Sequence, residues 1–210
     1  MAKRTAVYID GFNLYHSLLK SNDSVKWLDL KALSGALLNQ NNQITLIRYF
    51  TARVSNTPND PRLALRQDVY LRALKAHIPE LTVQEGQFKT ERKMKPVVSP
   101  PPPFIEIWHR EEKGSDVNLA VHLVNDAWHD RYDVALVMSN DSDLAEALHL
   151  VQSRGKAVGV ATRYDRPTSQ LRQNSDFQRR ITRTHLTKSQ MPVKIVDKAG
   201  LVISRPAEWH

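Results

Sequence analysis

The sequence predicts an α/β domain with a mainly parallel sheet flanked by helices and a small C-terminal hairpin. Three observations point there. Short apolar runs at 5–9, 134–138 and 156–161 read as strands, the second apolar on both faces and so buried. Stretches with helical spacing alternate with them, as crossover connections in a parallel sheet require. Near the end, the apolar runs 193–196 and 201–203 flank Asp197-Lys198-Ala199-Gly200, which reads as a hairpin turn.

The elements follow in order. Residues 5–9 form the first strand, and Leu14, Leu18 and Leu19 continue in helical spacing. Leu30, Leu33, Leu37 and Leu38 mark a second short helix, and 44–50 a strand. Asp60-Pro61 reads as a helix start, Asp as N-cap and Pro at the first helical position, for a helix that buries Leu63, Tyr70, Leu74 and Ile78 and stops at Pro79. Residues 81–88 alternate as a strand. Residues 89–103 carry Lys89, Arg92, Lys93 and Lys95 before four successive prolines, and read as an exposed basic loop. A strand resumes at 104–108. The helix 117–128 shows a stripe of Val117, Ala120, Val121, Val124 and Trp128, which places Trp128 in the core. The strand 134–138, the helix 142–153 capped by Gly155, the strand 156–161 and a helical segment near 169–177 complete the domain. The expected division is 1–184 for the domain and 185–210 for the hairpin extension.

Composition narrows the function. No apolar run approaches the roughly 20 residues that span a bilayer, so no membrane partner is expected. The N-terminus lacks a signal-peptide pattern, and the chain has no cysteine, which excludes a disulfide scaffold and a thiolate zinc site and fits a cytoplasmic protein. The net charge of +8 is unevenly placed: residues 151–210 hold 12 Lys and Arg against 4 Asp and Glu, leaving 18 of each in residues 1–150. A basic third beside acids that do chemistry suits a polyanion, while the plain alternative is a solvated basic surface. Arg163, Arg166, Arg172, Arg179, Arg180 and Arg183 are the candidate phosphate contacts. Trp108, Trp128 and Trp209 are the aromatics that could stack bases, Trp128 being favoured as core.

The acids carry the chemistry. Asp10 ends the first strand and precedes Gly11. Asp116 follows Gly114-Ser115 at the opening of a helix. Asp141 and Asp143 lie in Ser139-Asn140-Asp141-Ser142-Asp143, between a buried strand and a helix. In an open α/β sheet that carboxyl edge is where ligands bind. Asp116 or Asp141 alone could be an N-cap, as could Ser139, whereas Asp10, at the end of an apolar strand and followed by Gly11, has no obvious structural task. Together, bunched carboxylates imply a divalent cation or raised pKa values, and magnesium or manganese takes such oxygen ligands together with substrate phosphate. Asp10, Asp116 and Asp141 are the expected metal site, Asp143 a further acid. Asn13 is expected to bind phosphate or a bound water, or to cap a helix, and Ser139 to bind phosphate or cap. No glycine-rich dinucleotide fingerprint or Walker motif is present.

Asp10-Gly11-Phe12-Asn13, Lys113-Gly114-Ser115-Asp116 and Ser139-Asn140-Asp141-Ser142-Asp143, in that order and spacing, resemble the three signatures of NYN domains. These are PIN-like nuclease domains, and the LabA-like branch is the most similar. The resemblance covers roughly residues 4–180, and 171–177 with Asp176 resembles the closing helix of that branch. It implies a Rossmann-like PIN-type fold and metal-dependent hydrolysis of RNA, most often endonucleolytic, leaving 5′-phosphate and 3′-hydroxyl ends. It implies Asp10, Asn13, Asp116, Asp141 and Asp143 as catalytic residues with Mg2+ or Mn2+. RNA is the expected partner, with DNA not excluded and a homodimer allowed. Ser139, Arg163, Arg172, Arg179 and Arg180 are expected at the substrate. Asn140 stands where the family usually has Gly. The alternative is a non-catalytic module that holds RNA or a phosphorylated ligand at the same edge.

Overall fold

The computed structural model describes residues 2–165 and 167–209, so Arg166, one of the expected phosphate contacts, lies outside the described residues. Strand β1 (Lys3–Asp10) lies at the centre of a seven-stranded sheet. It pairs in parallel with β2 (Asn42–Ala52) on one side and β5 (Val134–Met138) on the other. Beyond β2 come β3 (Leu81–Pro96), parallel, and β4 (Phe104–Lys113), antiparallel. Beyond β5 come β6 (Ala157–Thr162) and β7 (Phe177–Arg180), both parallel. The order is β4-β3-β2-β1-β5-β6-β7. The chain thus builds away from β1 in one direction and restarts at β5 in the other. Such a reversal of strand order opens a crevice at the carboxyl ends of the two strands.

Alternate residues of the strands serve two cores. Val7, Ile9, Ile47, Tyr49, Leu136 and Met138 face one side, with α2 (Leu30–Leu37) and α3 (Leu63–His77). Ala6, Tyr8, Phe50, Ala135, Val137, Val158 and Val160 face the other, with α4 (Ser115–Trp128) and α5 (Ala145–Ser153). The short α1 (Gly11–Leu14) leaves β1 and runs on as a π-helical turn, Tyr15–Leu19. The hairpin of β8 (Lys194–Val196) and β9 (Val202–Ser204) follows α6 (Ser169–Gln173) and α7 (Arg183–Lys188). Its Ile195 and Ile203 join the first core, as does Trp209, which packs on Trp27 and Tyr70. The Trp27 indole donates to the Pro192 carbonyl at 2.8 Å.

Four expectations need correction. Residues 89–96 are not loop: they continue β3 and pair in register with 104–111, so only 97–103 form the tip. Alternating Lys89, Glu91 and Lys93 look like a loop in isolation, but they form ion pairs along one strand face. The prolines sit at the tip, where no ladder donor is needed. Helix α4 buries Leu119, Leu123, Asp126 and Ala127 and leaves Val117, Val121 and Trp128 exposed. Trp128 is 64% exposed and stacks under Arg154, with the guanidinium carbon 4.3 Å from the ring centroid. The third helix begins at Leu63 with Arg62 at its N-cap, and the Asp60 carboxylate, instead of capping it, accepts from the Arg62 amide and pairs with the Arg66 guanidinium. Finally, α6 ends at Gln173, and Phe177 starts β7 instead of closing a helix. Its ring lies over Gly159, where a Cβ would come within 2.1 Å of it.

A buried ion pair ties the second core together. Asp126 is fully buried and accepts from Arg48 Nε at 2.6 Å, Arg48 Nη2 at 2.9 Å and the Tyr8 hydroxyl at 2.8 Å. These bonds join α4 to β1 and β2.

Candidate active site

Because Ile9 pairs with Met138, Asp10 and Ser139 emerge side by side at the carboxyl edge. Ser139 is buried, and its hydroxyl donates to Asp10 Oδ2 at 2.9 Å. Ser139 Oγ in turn accepts the Asp141 amide at 3.1 Å. Asp10 Oδ1 accepts the Asn13 backbone amide at 2.9 Å, so Asp10, expected to have no structural task, caps α1 as well as facing the crevice, because the chain turns into a helix directly after the strand. Gly11 follows of necessity: a Cβ there would lie 2.7 Å from the Phe50 carbonyl oxygen and 2.8 Å from the Tyr49 ring. Asp141 likewise caps a short 3-10 turn, its Oδ1 accepting the Asp143 amide at 3.0 Å. Asp116 does no such work. Gly114, with a φ of 96°, holds the N-cap position of α4, and Glu112 supplies the cap by accepting from the Ser115 amide at 3.1 Å and hydroxyl at 2.7 Å. Gly86 permits this junction, since a Cβ there would lie 2.5 Å from Glu112 Oε1.

These segments enclose a cavity of about 310 Å³. Asp10, Asn13, Asp116 and Asp141 line it, from three separate stretches of chain. Phe12, His16, Glu112 and Ser115 complete the lining. Glu112 and His16 were missed in the sequence. Glu112 becomes visible only once β4 is paired with β3, and His16 only once the π turn carries it to the rim.

Of the remaining expected residues, Asp143 is exposed, outside the lining, and contributes its amide to Asp141. Ser139 does not face the cavity, because its hydroxyl is committed to Asp10 and to the turn. Arg163 follows β6, donates to the Ser17 carbonyl at 3.0 Å and lines a minor cleft beside Asn13. Arg172 is exposed on α6, whose start is fastened to the site by the Thr168 amide donating to Asn140 Oδ1 at 3.2 Å. Asn140, where the resembling family usually has Gly, therefore has a task glycine lacks. Arg179 is half-buried over Phe177 and donates to the Leu37 and Gln178 carbonyls, and Arg180 pairs with Asp165 at 2.6 Å. Arg179 is thus engaged within the fold, whereas Arg180 is exposed and held only by a surface ion pair.

Burial pushes the Asp10 carboxyl above its usual range, and Asp141 adds to the push. The Asn13 amide and Ser139 hydroxyl oppose it by stabilising the charged form. Burial and the nearby Lys20 lower His16 below the ordinary histidine value, so it is neutral at pH 7.

The donor set of Asp10, Glu112, Asp116 and Asp141 consists of hard oxygens, the chemistry that magnesium or manganese prefers. Among the described residues no three His, Asp or Glu side chains converge closely enough to hold an ion by themselves. The cavity is large enough for an ion with its own water shell. The residues therefore fit a hydrated ion held through one or two carboxylates, and do not fit a closed protein cage.

The chain belongs to the NYN domain family, whose model matches residues 4–181, and the family's fold is nuclease-like. It is 30% identical over 194 residues to 6-hydroxy-3-succinoylpyridine 3-monooxygenase HspA of Pseudomonas putida (strain DSM 28022 / S16), a match covering 79% of this chain. The chain spans 60% of the length of that protein. It shares its fold with VPA0982, a protein of unknown function from Vibrio parahaemolyticus RIMD 2210633. The TM-score is 0.52 at 20% identity, over 87% of this chain and 94% of that one. Among the described residues, no helix is long and apolar enough to cross a membrane.

Proposed function

We propose that the chain is a metal-dependent ribonuclease that hydrolyses RNA phosphodiester bonds endonucleolytically. The observation that carries this reading is the meeting of Asp10, Asn13, Asp116 and Asp141 in one cavity at the reversal of strand order. A module that only bound phosphates would have no reason to gather negative charge where they dock.

Among Asp10, Asp116 and Asp141, one or two carboxylates would hold hydrated magnesium or manganese directly and the remainder, with Glu112, would act through its waters. When bound, the ion would lower the pKa of a water and stabilise charge developing on the phosphate. The chain's own residues do the rest. The Asn13 side-chain carboxamide, at the cavity wall, would donate to a phosphate oxygen. Asp10 acts in its ionised form, which Ser139 and the Asn13 backbone favour against burial. Asp116, free of any capping duty, is available to the ligand. Arg163 and Arg172 flank the same edge and attract the RNA backbone.

A second reading, a non-catalytic module holding RNA or a phosphorylated ligand, draws on the separation of the acids and on the raised Asp10 carboxyl. The test is to incubate the protein with single-stranded and structured RNAs, and with DNA, with and without magnesium or manganese, and to map the ends. New 5′-phosphate and 3′-hydroxyl ends inside the RNA are expected only with metal. Binding without any product would favour the second reading. Oxidation of 6-hydroxy-3-succinoylpyridine by this chain, given oxygen and a two-electron donor, would contradict both.

A further inference from the structure

The β3–β4 hairpin reaches beyond the body of the sheet, and its cross-strand pairs define two faces. One face begins at the cavity. Phe88 pairs across from Glu112 and packs on Phe12, with ring centroids 5.4 Å apart. Moving outward, the same face carries Arg92 opposite Trp108, Met94 opposite Glu106 and Pro96 opposite Phe104. These apolar groups are uncovered: Trp108 is 72% exposed, Met94 61% and Phe104 53%. Arg92 lies over the Trp108 ring at 5.6 Å. Its ion pair with Glu106, at 3.7 Å, is a weak surface one that a phosphate can displace. On this face Arg92 stands near Glu106, and Lys93 and Lys95 on the opposite face leave the ribbon between 92 and 108 net positive as a whole. An uncovered aromatic next to a cation, on a net-positive ribbon continuous with an acidic cavity, has the chemistry of a stacking platform for unpaired bases.

We propose that this face is an arm for single-stranded RNA, on which the strand leaving the cavity stacks its bases against Trp108 and Phe104 while Arg92 meets its phosphates. The inference rests on the ribonuclease reading for its substrate class. From Glu112 to Phe104 is eight residues of strand, about 27 Å at roughly 3.4 Å per residue. Stacked nucleotides rise about 3.4 Å each, so about eight nucleotides reach the tip and about four reach Trp108.

The test is fluorescence anisotropy in EDTA, which prevents turnover, with labelled oligouridylates of 2 and 12 nucleotides, the shorter one unable to span from the cavity to Trp108. Trp108→Ala is expected to weaken the 12-mer about 5- to 150-fold, the value of one lost base stack. The 2-mer should change far less, and Trp108→Phe should retain most of the affinity. Trp128→Ala, which removes an equally exposed tryptophan stacked on an arginine elsewhere, should change neither. An unaltered 12-mer affinity in Trp108→Ala would overturn the arm. So would an equal loss in Trp128→Ala, or a wild-type protein that binds neither oligonucleotide. Trp108→Ala turning a dimer into a monomer with RNA affinity unchanged would also overturn it, assigning the face to a second copy of the chain. Trp108-dependent binding in a protein that cleaves no RNA with manganese would retain the arm and remove the nuclease reading. Cleavage with Trp108-independent binding would do the reverse.

Discussion

Replacing Asp126 with Ala should cost the fold about 3–5 kcal/mol, the penalty for removing one partner of a buried ion pair. Three bonds of 2.6 to 2.9 Å end on this carboxylate, from Arg48 and Tyr8, and its side chain has no exposure while that of Arg48 has 9%. The variant strands a guanidinium and a hydroxyl in the second core. At a urea m-value near 3 kcal/mol per molar, suited to a chain of this size, the midpoint should fall by about 1–1.7 M. Burial alone would raise the Asp126 carboxyl, but the Arg48 and Tyr8 bonds hold it below its ordinary range. A depressed folded value contributes stability that is fully present above the unfolded value, about 3.9. It is lost as pH falls through the folded value. The gap between wild type and variant should therefore be flat from about pH 8 to pH 5 and close below about pH 4. Joint replacement of Arg48 by Met and Asp126 by Leu should recover most of the loss, since an apolar pair of similar volume has no charge to strand. A single-variant loss under about 1 kcal/mol, or a gap that widens in acid, would refute the reasoning.

Two further predictions concern the site. In metal-free protein, Ser139→Ala should raise the already elevated Asp10 carboxyl by about 1–2 pH units by carbon NMR titration. The lost hydrogen bond to a charged group is worth about 1.5–3 kcal/mol at 1.36 kcal/mol per unit. A raised folded carboxyl favours folding while protonated, so this contribution falls as pH rises through that value, and an unmoved titration would remove Ser139 from the positioning of Asp10. Replacing Arg163 and Arg172 together with Gln should flatten the slope of log affinity for single-stranded RNA against log salt by about 1.4, at roughly 0.7 per lost phosphate contact. Arg179→Gln should change that slope little and instead loosen the β7 edge; an equal change in slope would reverse this assignment.

The strand-end acids were legible because short apolar runs mark where strands stop, and a carboxylate placed directly after one stands at the sheet edge. The parallel sheet followed from the same runs. The buried face of α4 was not legible. Val117, Val121 and Trp128 make as regular a helical stripe as Leu119, Leu123 and Ala127, and Asp126 on the second stripe looks like a surface charge until Arg48, 78 residues away, is seen to meet it. Residues 89–96 hid for a related reason: alternating charges read as loop until 104–111 supply the opposite strand. Glu112 and His16 needed that pairing and the π turn before they could be placed at the cavity. Sequence patterns report which way a chain faces locally; partners distant in sequence decide which of two equally regular faces is covered.

Whether the acids around this cavity perform metal-dependent hydrolysis of RNA is decided by single-turnover cleavage with Asp141→Asn beside wild type. With excess protein and saturating manganese, wild type should cleave and EDTA should abolish the reaction. Asp141→Asn should be slower by at least about 10²-fold, as removal of a principal electrostatic group from an active site implies, with an unchanged unfolding midpoint. Cleavage by Asp141→Asn at the wild-type rate, or wild-type cleavage that persists in EDTA, would contradict the account.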